Sequence, residues 1–328
     1  MEGPALSIDT TSISIFDITK ASARIHGYSY RTPTYRSFSE ESAFLKLESF
    51  QPTRSFKIRG ASNKILSLPE DVIGNGVITA SSGNHGLAVS YVANKLSIKA
   101  TIVLPENVVP EKLAWIKALG AKPILFGKQQ DDRQRKAIDI QKEEGLVMIP
   151  PFNDIDIITG QATCGQELIE DVPDVESIFV PIGGGGLISG VALATKLARP
   201  RGDVKVYGVQ PEGSPSMFES FKKKELSTIA ESKSIADGLL VRRPGDITFE
   251  FVRKYVDDII LVSDDEILRA TKQLITKEHV LSEPSGGAAF AGMVKFRKKD
   301  PEKRSLKSAA IVSGGNISTE LLQKLIAS

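Results

Sequence analysis

Lys57 lies between two apolar residues, Phe56 and Ile58, and Gly60 follows three positions later. Apolar surroundings desolvate an amine, and desolvation lowers its pKa toward neutrality. A neutral lysine amine attacks carbonyl groups and forms a Schiff base. Because most lysines are solvated surface residues, this pattern predicts a reactive amine only if other groups in the chain complete a site around it.

The segment 80–86 (ASSGNHG) leaves a predicted strand and opens a predicted helix. The free N–H groups and the positive dipole end of a helix N-terminus bind carboxylate or phosphate groups. Ordinary capping of the helix by Ser81 or Ser82 is the alternative interpretation. The segment is therefore a candidate site for an anionic group.

Four consecutive glycines, Gly183, Gly184, Gly185 and Gly186, again follow a predicted strand and precede a helix. Such a run is entropically costly, and its backbone N–H groups can wrap closely around an anion. No dinucleotide-binding register of the form GxGxxG can be drawn through it. A flexible surface loop is the alternative, but the position after a buried strand favours phosphate binding.

Ser313 ends a third predicted strand, where it can cap a turn or offer a neutral hydroxyl to a ring nitrogen. A Schiff-base lysine, a phosphate loop, a carboxylate site and such a hydroxyl match the groups of one cofactor and its substrate. Pyridoxal phosphate has an aldehyde, a phosphate and a pyridine nitrogen, and it acts on amino acids. The sequence therefore predicts a pyridoxal 5'-phosphate site.

Strands and helices alternate along nearly the whole chain, as in an α/β fold. Short apolar, mostly β-branched runs predict buried parallel strands, at 76–80, 100–104, 177–181, 204–210, 258–263 and 308–313. Helical stretches are predicted between them, at 85–96, 111–119, 130–144, 161–171 and 187–198. This order implies open, mainly parallel sheets with helices on both faces, and ligands bound beyond the carboxyl ends of the strands.

The composition is that of a globular protein of 328 residues, with 41% hydrophobic and 25% charged residues. A net charge of +2 gives no reason to expect nucleic acid, and no apolar run approaches the ~20 residues that span a bilayer. The single cysteine, Cys164, excludes an internal disulfide, and we expect it to be buried on a helix. No secretory signal is visible, so we expect a cytoplasmic protein without membrane association.

Four motifs appear in the order typical of one enzyme group: 55–60 (SFKIRG), 82–85 (SGNH), the glycine run, and 313–316 (SGGN). The chain resembles the fold-type II pyridoxal-phosphate enzymes of the threonine/serine dehydratase and serine racemase family. The resemblance covers nearly the whole chain. It implies the tryptophan synthase β-like architecture of two open, mainly parallel twisted sheets. It also implies a small domain of 53–153 inserted in a large domain of 1–52 plus 154–328.

The resemblance also implies roles for the site residues. Lys57 would hold the cofactor aldehyde and then act as the Cα base, with Phe56 against the ring and Asn84 on its 3-hydroxyl. The four glycines would bind the phosphate, and Ser313 would contact the pyridine nitrogen. The substrate carboxylate would be surrounded by Ser81, Ser82, Gly83, Asn84 and His85. Glu283 would lie near the ring, although capping of the following helix remains an alternative.

We expect from this family an L-threonine/L-serine dehydratase, a threonine ammonia-lyase that yields 2-oxobutanoate or pyruvate plus ammonia. The alternative is a serine or aspartate-type racemase, or a 3-hydroxyaspartate dehydratase, because Ser82 lies where serine racemases place a second acid/base. A divalent metal site is not expected, since Gln210, Ser214 and Ser216 are uncharged where racemase ligands would fall. The expectation is a potassium-type ion or no ion. The family also implies a homodimer or homotetramer. Little chain follows Ser313, so no C-terminal regulatory domain is expected.

Overall fold

The computed structural model describes residues 13–81, 83–108, 110–127 and 130–327. Within these ranges the strands are β1 Thr34–Arg36, β2 Ala43–Leu47, β3 Val77–Ala80, β4 Ala100–Leu104, β5 Lys122–Leu125, β6 Val147–Met148, β7 Ser177–Pro181, β8 Lys205–Pro211, β9 Asp258–Val262 and β10 Ser308–Val312. The helices are α1 Ile15–Arg24, α2 Lys57–Leu66, α3 Glu70–Ile73, α4 Asn84–Leu96, α5 Pro110–Ala118, α6 Gln130–Glu144, α7 Ile155–Asp171, α8 Gly186–Ala198, α9 Ser216–Lys223, α10 Asp246–Tyr255, α11 Asp264–Thr276, α12 Pro284–Lys298 and α13 Thr319–Ala327. Short 3-10 helices span Glu48–Phe50, Asp237–Leu239 and Pro301–Arg304.

A larger sheet of six strands has the order β1-β2-β10-β7-β8-β9. Its strands pair in parallel, except that β1 runs antiparallel to β2. The strand β10 lies between β2 and β7, and every residue of β7 and of β10 is buried. Burial on both faces explains why these strands read as continuous apolar runs rather than alternating ones.

A smaller sheet of four parallel strands has the order β5-β4-β3-β6. The two inner strands, β3 and β4, are fully buried. Their apolar side chains form separate clusters on the two faces of the sheet, one around Val77 and Ile102 and one around Ile78 and Val103. This second core is distinct from the cores of the larger sheet.

The helix that begins with Lys57, α2, packs directly against α7. A Cβ atom on Gly60 would lie 2.9 Å from the carbonyl oxygen of Ile157, and one on Gly160 would lie 2.7 Å from the Cα of Gly60. These distances are too short for any side chain, so the two backbones touch. The orientation of α2 is therefore set by α7, which precedes the central strand β7 of the larger sheet.

The fold agrees with the α/β expectation of two mainly parallel sheets with helices. Each predicted strand is present with bounds shifted by at most two residues, whereas β1, β2, β5 and β6 were not predicted. The strand β5 contains Pro123 and lies at an edge of its sheet, where a missing N–H is tolerated. In the described part of the chain, no helix has the length and apolarity needed to cross a bilayer.

Candidate active site

A cavity of about 360 Å³ opens at the carboxyl ends of strands from both sheets. It is lined by residues that follow β3, β7 and β10, together with the start of α2. The cavity brings together all but one of the predicted site residues, namely Phe56, Lys57, Ser81, Gly83, Asn84, His85, Gly183, Gly184, Gly185, Gly186 and Ser313. The remaining one, Ser82, lies outside the described residues.

The amine of Lys57 lies at the wall of this cavity and donates a hydrogen bond to the carbonyl oxygen of Pro151, at 2.7 Å. It also lies 5.1 Å from the centre of the Phe56 ring. Burial lowers the pKa of Lys57 to about 8, because removing water penalises the ammonium form. At this pKa the amine is partly neutral near physiological pH.

Lys57 and Ser313 are far apart in the chain but adjacent in the cavity. The backbone N–H of Phe56 donates to the carbonyl oxygen of Ser313 at 3.1 Å, and the N–H of Gly315 donates to that of Arg54 at 2.9 Å. These two bonds join the segment before α2 to the segment after β10. The hydroxyl of Ser313 is buried, and its one hydrogen-bond partner in the described part of the chain is the carbonyl oxygen of Ser285, at 3.4 Å. It is a neutral group with spare hydrogen-bonding capacity.

The glycine loop between β7 and α8 presents bare backbone to the cavity. Gly185 has φ +98°, which glycine adopts without strain. A Cβ atom on Gly184 would lie 2.3 Å from the ring of Phe152. Among the described residues, the N–H groups of Gly183, Gly184 and Gly185 meet no protein acceptor, whereas the carbonyl oxygen of Gly184 accepts from Thr248 at 2.6 Å. The loop therefore leaves its donors available for an anion.

The N-terminus of α4 forms another part of the cavity wall. Gly83 occupies the N-cap position, and among the described residues no side chain caps this turn, so capping by Ser81 is not seen; Ser82, the other capping candidate, lies outside the described residues. Within the described ranges, the hydroxyl of Ser81 accepts from the N–H of Gly83 alone, at 3.4 Å. The free N–H groups of this first turn, with the helix dipole, suit a carboxylate.

His85 is 2% exposed and lies in that same first turn. Its Nε2 lies 2.9 Å from the carbonyl oxygen of Ile149, so Nε2 carries the proton, while the buried Nδ1 has no hydrogen-bond partner among the described residues. Burial, followed by the charge of Lys57, lowers the pKa of His85 to about 3. The imidazole is therefore neutral at physiological pH.

Both the nitrogen and the oxygen of the Asn84 side-chain amide are hydrogen-bonded. Its Nδ2 donates to Glu283 Oε1 at 2.6 Å, and its Oδ1 accepts from Asn316 Nδ2 at 2.7 Å. Glu283 stands at the N-cap position of α12 but makes no capping bond, so its carboxyl group contacts Asn84 instead. Burial, followed by the charge of Asp237, raises the pKa of Glu283 to about 7.

Sequence reasoning assigned no site role to several residues that complete the cavity. Phe152 packs on the glycine loop, Thr248 fixes the Gly184 carbonyl, and Pro151 supplies the acceptor for Lys57. The charged pair Lys112 and Asp237, 3.3 Å apart, also lines the cavity. The glycine run itself was the available signal for Phe152, since four positions without Cβ imply a close neighbour.

Cys164 is buried on α7, as predicted. Across the described ranges, no three His, Cys, Asp or Glu side chains are grouped so as to hold a metal ion. At the position considered for a divalent ion, Gln210 Oε1 accepts from the backbone N–H of Phe218 at 2.8 Å. The fully buried hydroxyl of Ser214 lies 2.7 Å from that of Ser232.

The residues present fit pyridoxal phosphate. The glycine loop offers unpaired N–H donors for a phosphate, Lys57 offers an amine of lowered pKa for an aldehyde, and Ser313 offers a hydroxyl for a ring nitrogen. Asn84 Nδ2 retains one proton for a ring oxygen after donating to Glu283. The cavity volume falls in the ~300–1,000 Å³ range that is typical of small-molecule sites.

Comparison with known proteins agrees with this assignment. The family model described as "Pyridoxal-phosphate dependent enzyme" matches residues 27–314. The chain is 40% identical to the L-threonine ammonia-lyase of Thermotoga maritima over 96% of this chain and 78% of the relative. It is 41% identical to the catabolic L-threonine dehydratase TdcB of Escherichia coli over 93% of each chain.

Among solved structures, maize serine racemase superposes with a TM-score of 0.90 at 37% identity, covering 96% of this chain and 97% of the other. The match spans both sheets, and the fold is therefore that of the fold-type II enzymes. The cavity geometry, the family model and these relatives agree with one another. The chain belongs to the family of pyridoxal-phosphate dependent enzymes.

Proposed function

We propose that this protein is an ammonia-lyase that removes the β-hydroxyl and the amino group of L-threonine and L-serine. The products are 2-oxobutanoate or pyruvate, respectively, and ammonia. The observation that carries the proposal is the cavity in which the desolvated amine of Lys57 meets the glycine loop and the neutral Ser313. The names of two relatives with about 40% identity, a threonine ammonia-lyase and a threonine dehydratase, support the substrate class.

Four groups of the chain hold the cofactor in this proposal. The N–H groups of the glycine loop, residues 183–186, bind its phosphate, Asn84 binds the ring hydroxyl, Phe56 packs against the ring and Ser313 contacts the ring nitrogen. When bound, pyridoxal phosphate supplies a conjugated ring that stabilises negative charge at the Cα of an amino acid. The chain contributes orientation, exclusion of water and proton transfer.

Lys57 is the base that removes the Cα proton. With a pKa of about 8, an appreciable fraction of the amine is neutral near pH 7.5 and can accept a proton. The carbonyl oxygen of Pro151 holds the amine at the cavity wall. Since this acceptor is a backbone carbonyl, it does not titrate and can accept the hydrogen bond across the working pH range.

The substrate carboxylate binds at the N-terminus of α4, where Ser81, Gly83, Asn84 and His85 line the cavity. Ser82 belongs to the same segment and completes the set. The neutral state of His85 means that attraction for the carboxylate comes from N–H groups, hydroxyls and the helix dipole. A substrate held there turns its Cα toward Lys57.

Ser313 favours elimination because a neutral hydroxyl stabilises a protonated ring nitrogen less than a carboxylate would. Less negative charge would then be drawn into the ring, which would favour early departure of the β-hydroxyl. This favours the lyase reaction over reactions that need a long-lived negative charge at Cα.

Racemisation of serine is the second candidate activity. The likeness to maize serine racemase favours it, as does Ser82, whose hydroxyl would return a proton to Cα on the face opposite Lys57. An aspartate-type racemase or a 3-hydroxyaspartate dehydratase on the same scaffold belongs to this second class. The deciding difference is whether Cα is reprotonated before the β-hydroxyl leaves.

The test is a steady-state comparison of L-threonine, L-serine, D-serine and 3-hydroxyaspartate with product identification and chiral analysis. We expect 2-oxobutanoate from L-threonine and pyruvate from L-serine as the main products. Formation of D-serine faster than pyruvate would overturn the lyase proposal in favour of racemisation. The visible absorbance of the bound cofactor should disappear in Lys57→Ala.

We also propose a homodimer or homotetramer in the cytoplasm, since this is the usual form in the family. Its test is the molar mass by light scattering after size exclusion. The proposed division into a small domain of 53–153 and a large domain of 1–52 plus 154–328 is tested by limited proteolysis. Cleavage should concentrate near residues 52 and 154.

A further inference from the structure

Arg59, two residues after Lys57, is one of the two largest fully buried side chains among the described residues. Its guanidinium group bonds two carboxylates, each through two nitrogens. Nε and Nη2 reach Glu48 at 2.8 Å each, while Nη1 and Nη2 reach Glu167 at 2.7 and 2.8 Å. Paired bonds of this kind fix direction as well as distance, since the guanidinium is a rigid planar fork.

The three partners come from three separate elements. Glu48 follows β2, Glu167 lies on α7, and Arg59 lies in the first turn of α2. The guanidinium also donates to Thr163 Oγ1 at 3.0 Å and to the carbonyl oxygen of Tyr30 at 3.2 Å. Arg59 therefore ties the beginning of the Lys57 helix to the body of the larger sheet.

Burying such a group is an expensive way to stabilise a fold. The desolvation of buried ion pairs often cancels their attraction, and apolar residues of similar volume often serve stability equally well. The backbone contact between Gly60 and Gly160 already packs α2 against α7. The two carboxylate pairs of Arg59 add fixed directions to that contact, since the rigid guanidinium fork holds each pair in one orientation. The arrangement thus points to a role in position rather than in stability.

We propose that Arg59 is a positioning residue for Lys57: its two carboxylate pairs fix the first turn of α2, so that the amine stays in its buried place against the Pro151 carbonyl. The inference rests on the proposed function only for the role of Lys57 as the reactive amine, since the contacts of Arg59 do not depend on any substrate. The charge of Lys57, after burial, contributes to the lowered pKa of His85, and this imidazole is therefore neutral.

Lys46 provides a matched control. It is also fully buried and bonds the same Glu167 at 2.8 Å, together with Asp171 at 3.3 Å and the carbonyl oxygen of Thr32 at 2.8 Å. It lies on β2, however, and none of these partners belongs to α2. Its loss should disturb the same charge network without removing any bond that holds α2.

The test is the reactivity of the Lys57 amine with acetic anhydride as a function of pH, read by peptide mass spectrometry on the cofactor-free full chain. Arg59→Lys keeps the positive charge but cannot bond each carboxylate through two nitrogens. The triple variant with Arg59→Met, Glu48→Gln and Glu167→Gln removes the charges together, so that no carboxylate is left unpaired. The wild type should show a midpoint near pH 8. Both variants should show a midpoint higher by at least one unit, and about tenfold less reactive amine at pH 7.5.

Lys46→Met should keep the wild-type midpoint. An unchanged midpoint in both Arg59 variants would overturn the inference, and so would an equal rise in Lys46→Met, which would indicate general loosening. Uptake of pyridoxal phosphate is followed in parallel by its visible band. Failure of the wild-type chain to bind the cofactor would contradict the proposed function, whereas the labelling midpoints test Arg59 in either case.

Discussion

Glu283 and Glu278 are two nearby buried glutamates whose pKa values are shifted in opposite directions. Burial raises the pKa of Glu283 from 4.5 to about 7. Burial alone would raise the pKa of Glu278, but it is lowered because the hydroxyls of Ser37 and Ser39 and the N–H groups of Phe38 and Ser39 donate to the carboxylate. The pair therefore allows a prediction with an internal control.

Between pH 4.5 and pH 7 the folded chain holds a proton on Glu283 that the unfolded chain has lost. The free energy of unfolding must then fall as the pH rises through this window. The shift is about 2.5 units, from 4.5 to about 7, and at 1.36 kcal/mol per unit it corresponds to about 3 kcal/mol. Glu283→Gln removes this dependence and can keep the bond from Asn84 Nδ2.

We therefore expect Glu283→Gln to equal the wild type in stability near pH 4.5 and to exceed it by about 3 kcal/mol at pH 8. Glu278→Gln should behave oppositely, being less stable than the wild type at pH 8 with a difference that closes as the pH falls. The assay is urea unfolding of the cofactor-free full chain at several pH values, because bound cofactor would add its own stabilisation. A Glu283→Gln variant less stable than the wild type at pH 8 would refute the reasoning.

Three further predictions concern the cavity. Gly184→Ala places a Cβ atom 2.3 Å from the Phe152 ring, so its affinity for the cofactor, measured by equilibrium dialysis, should fall at least tenfold. In the control Gly74→Ala, the nearest atom to the new Cβ is 3.5 Å away, and cofactor affinity should be unchanged. Ser313→Ala removes one hydrogen bond and should lower kcat up to ~10-fold; an unchanged kcat would contradict its role. Nitrogen NMR of His85 should show a neutral, Nε2-protonated ring from pH 5 to 9, and titration near 6.5 would contradict its low pKa.

The sequence predicted those features of the site that follow from the order of strands and helices along the backbone. The segment 81–85, the glycine loop and Ser313 follow strand ends, and parallel strands bring their carboxyl ends to one edge. The strand β2 was missed partly because it contains Lys46, which a residue pattern assigns to solvent. Lys46 is buried because it pairs with Glu167, more than a hundred residues away. The pairing of Arg59 with Glu167 is equally distant in the chain, so the sequence pattern did not predict its role.

Glu283 shows a second limit. Its position before α12 suited both a helix cap and a place near the cofactor, and the sequence did not decide between them. The decision depends on Asn84, which is 199 residues earlier and whose amide is turned by Asn316. Side-chain orientation of this kind follows from the closed fold and not from local propensity.

The position of β10 has a consequence for how the site forms during synthesis. Because β10 separates β2 from β7, the larger sheet cannot close until the last of its strands has left the ribosome. Pairings over such sequence distances fold slowly, and meanwhile β2 and β7 expose open edges that invite aggregation. The segment before Lys57 also bonds the residues just after β10. The cofactor site is therefore completed only when nearly the whole chain is available, and a nascent chain that ends before Ser308 lacks it.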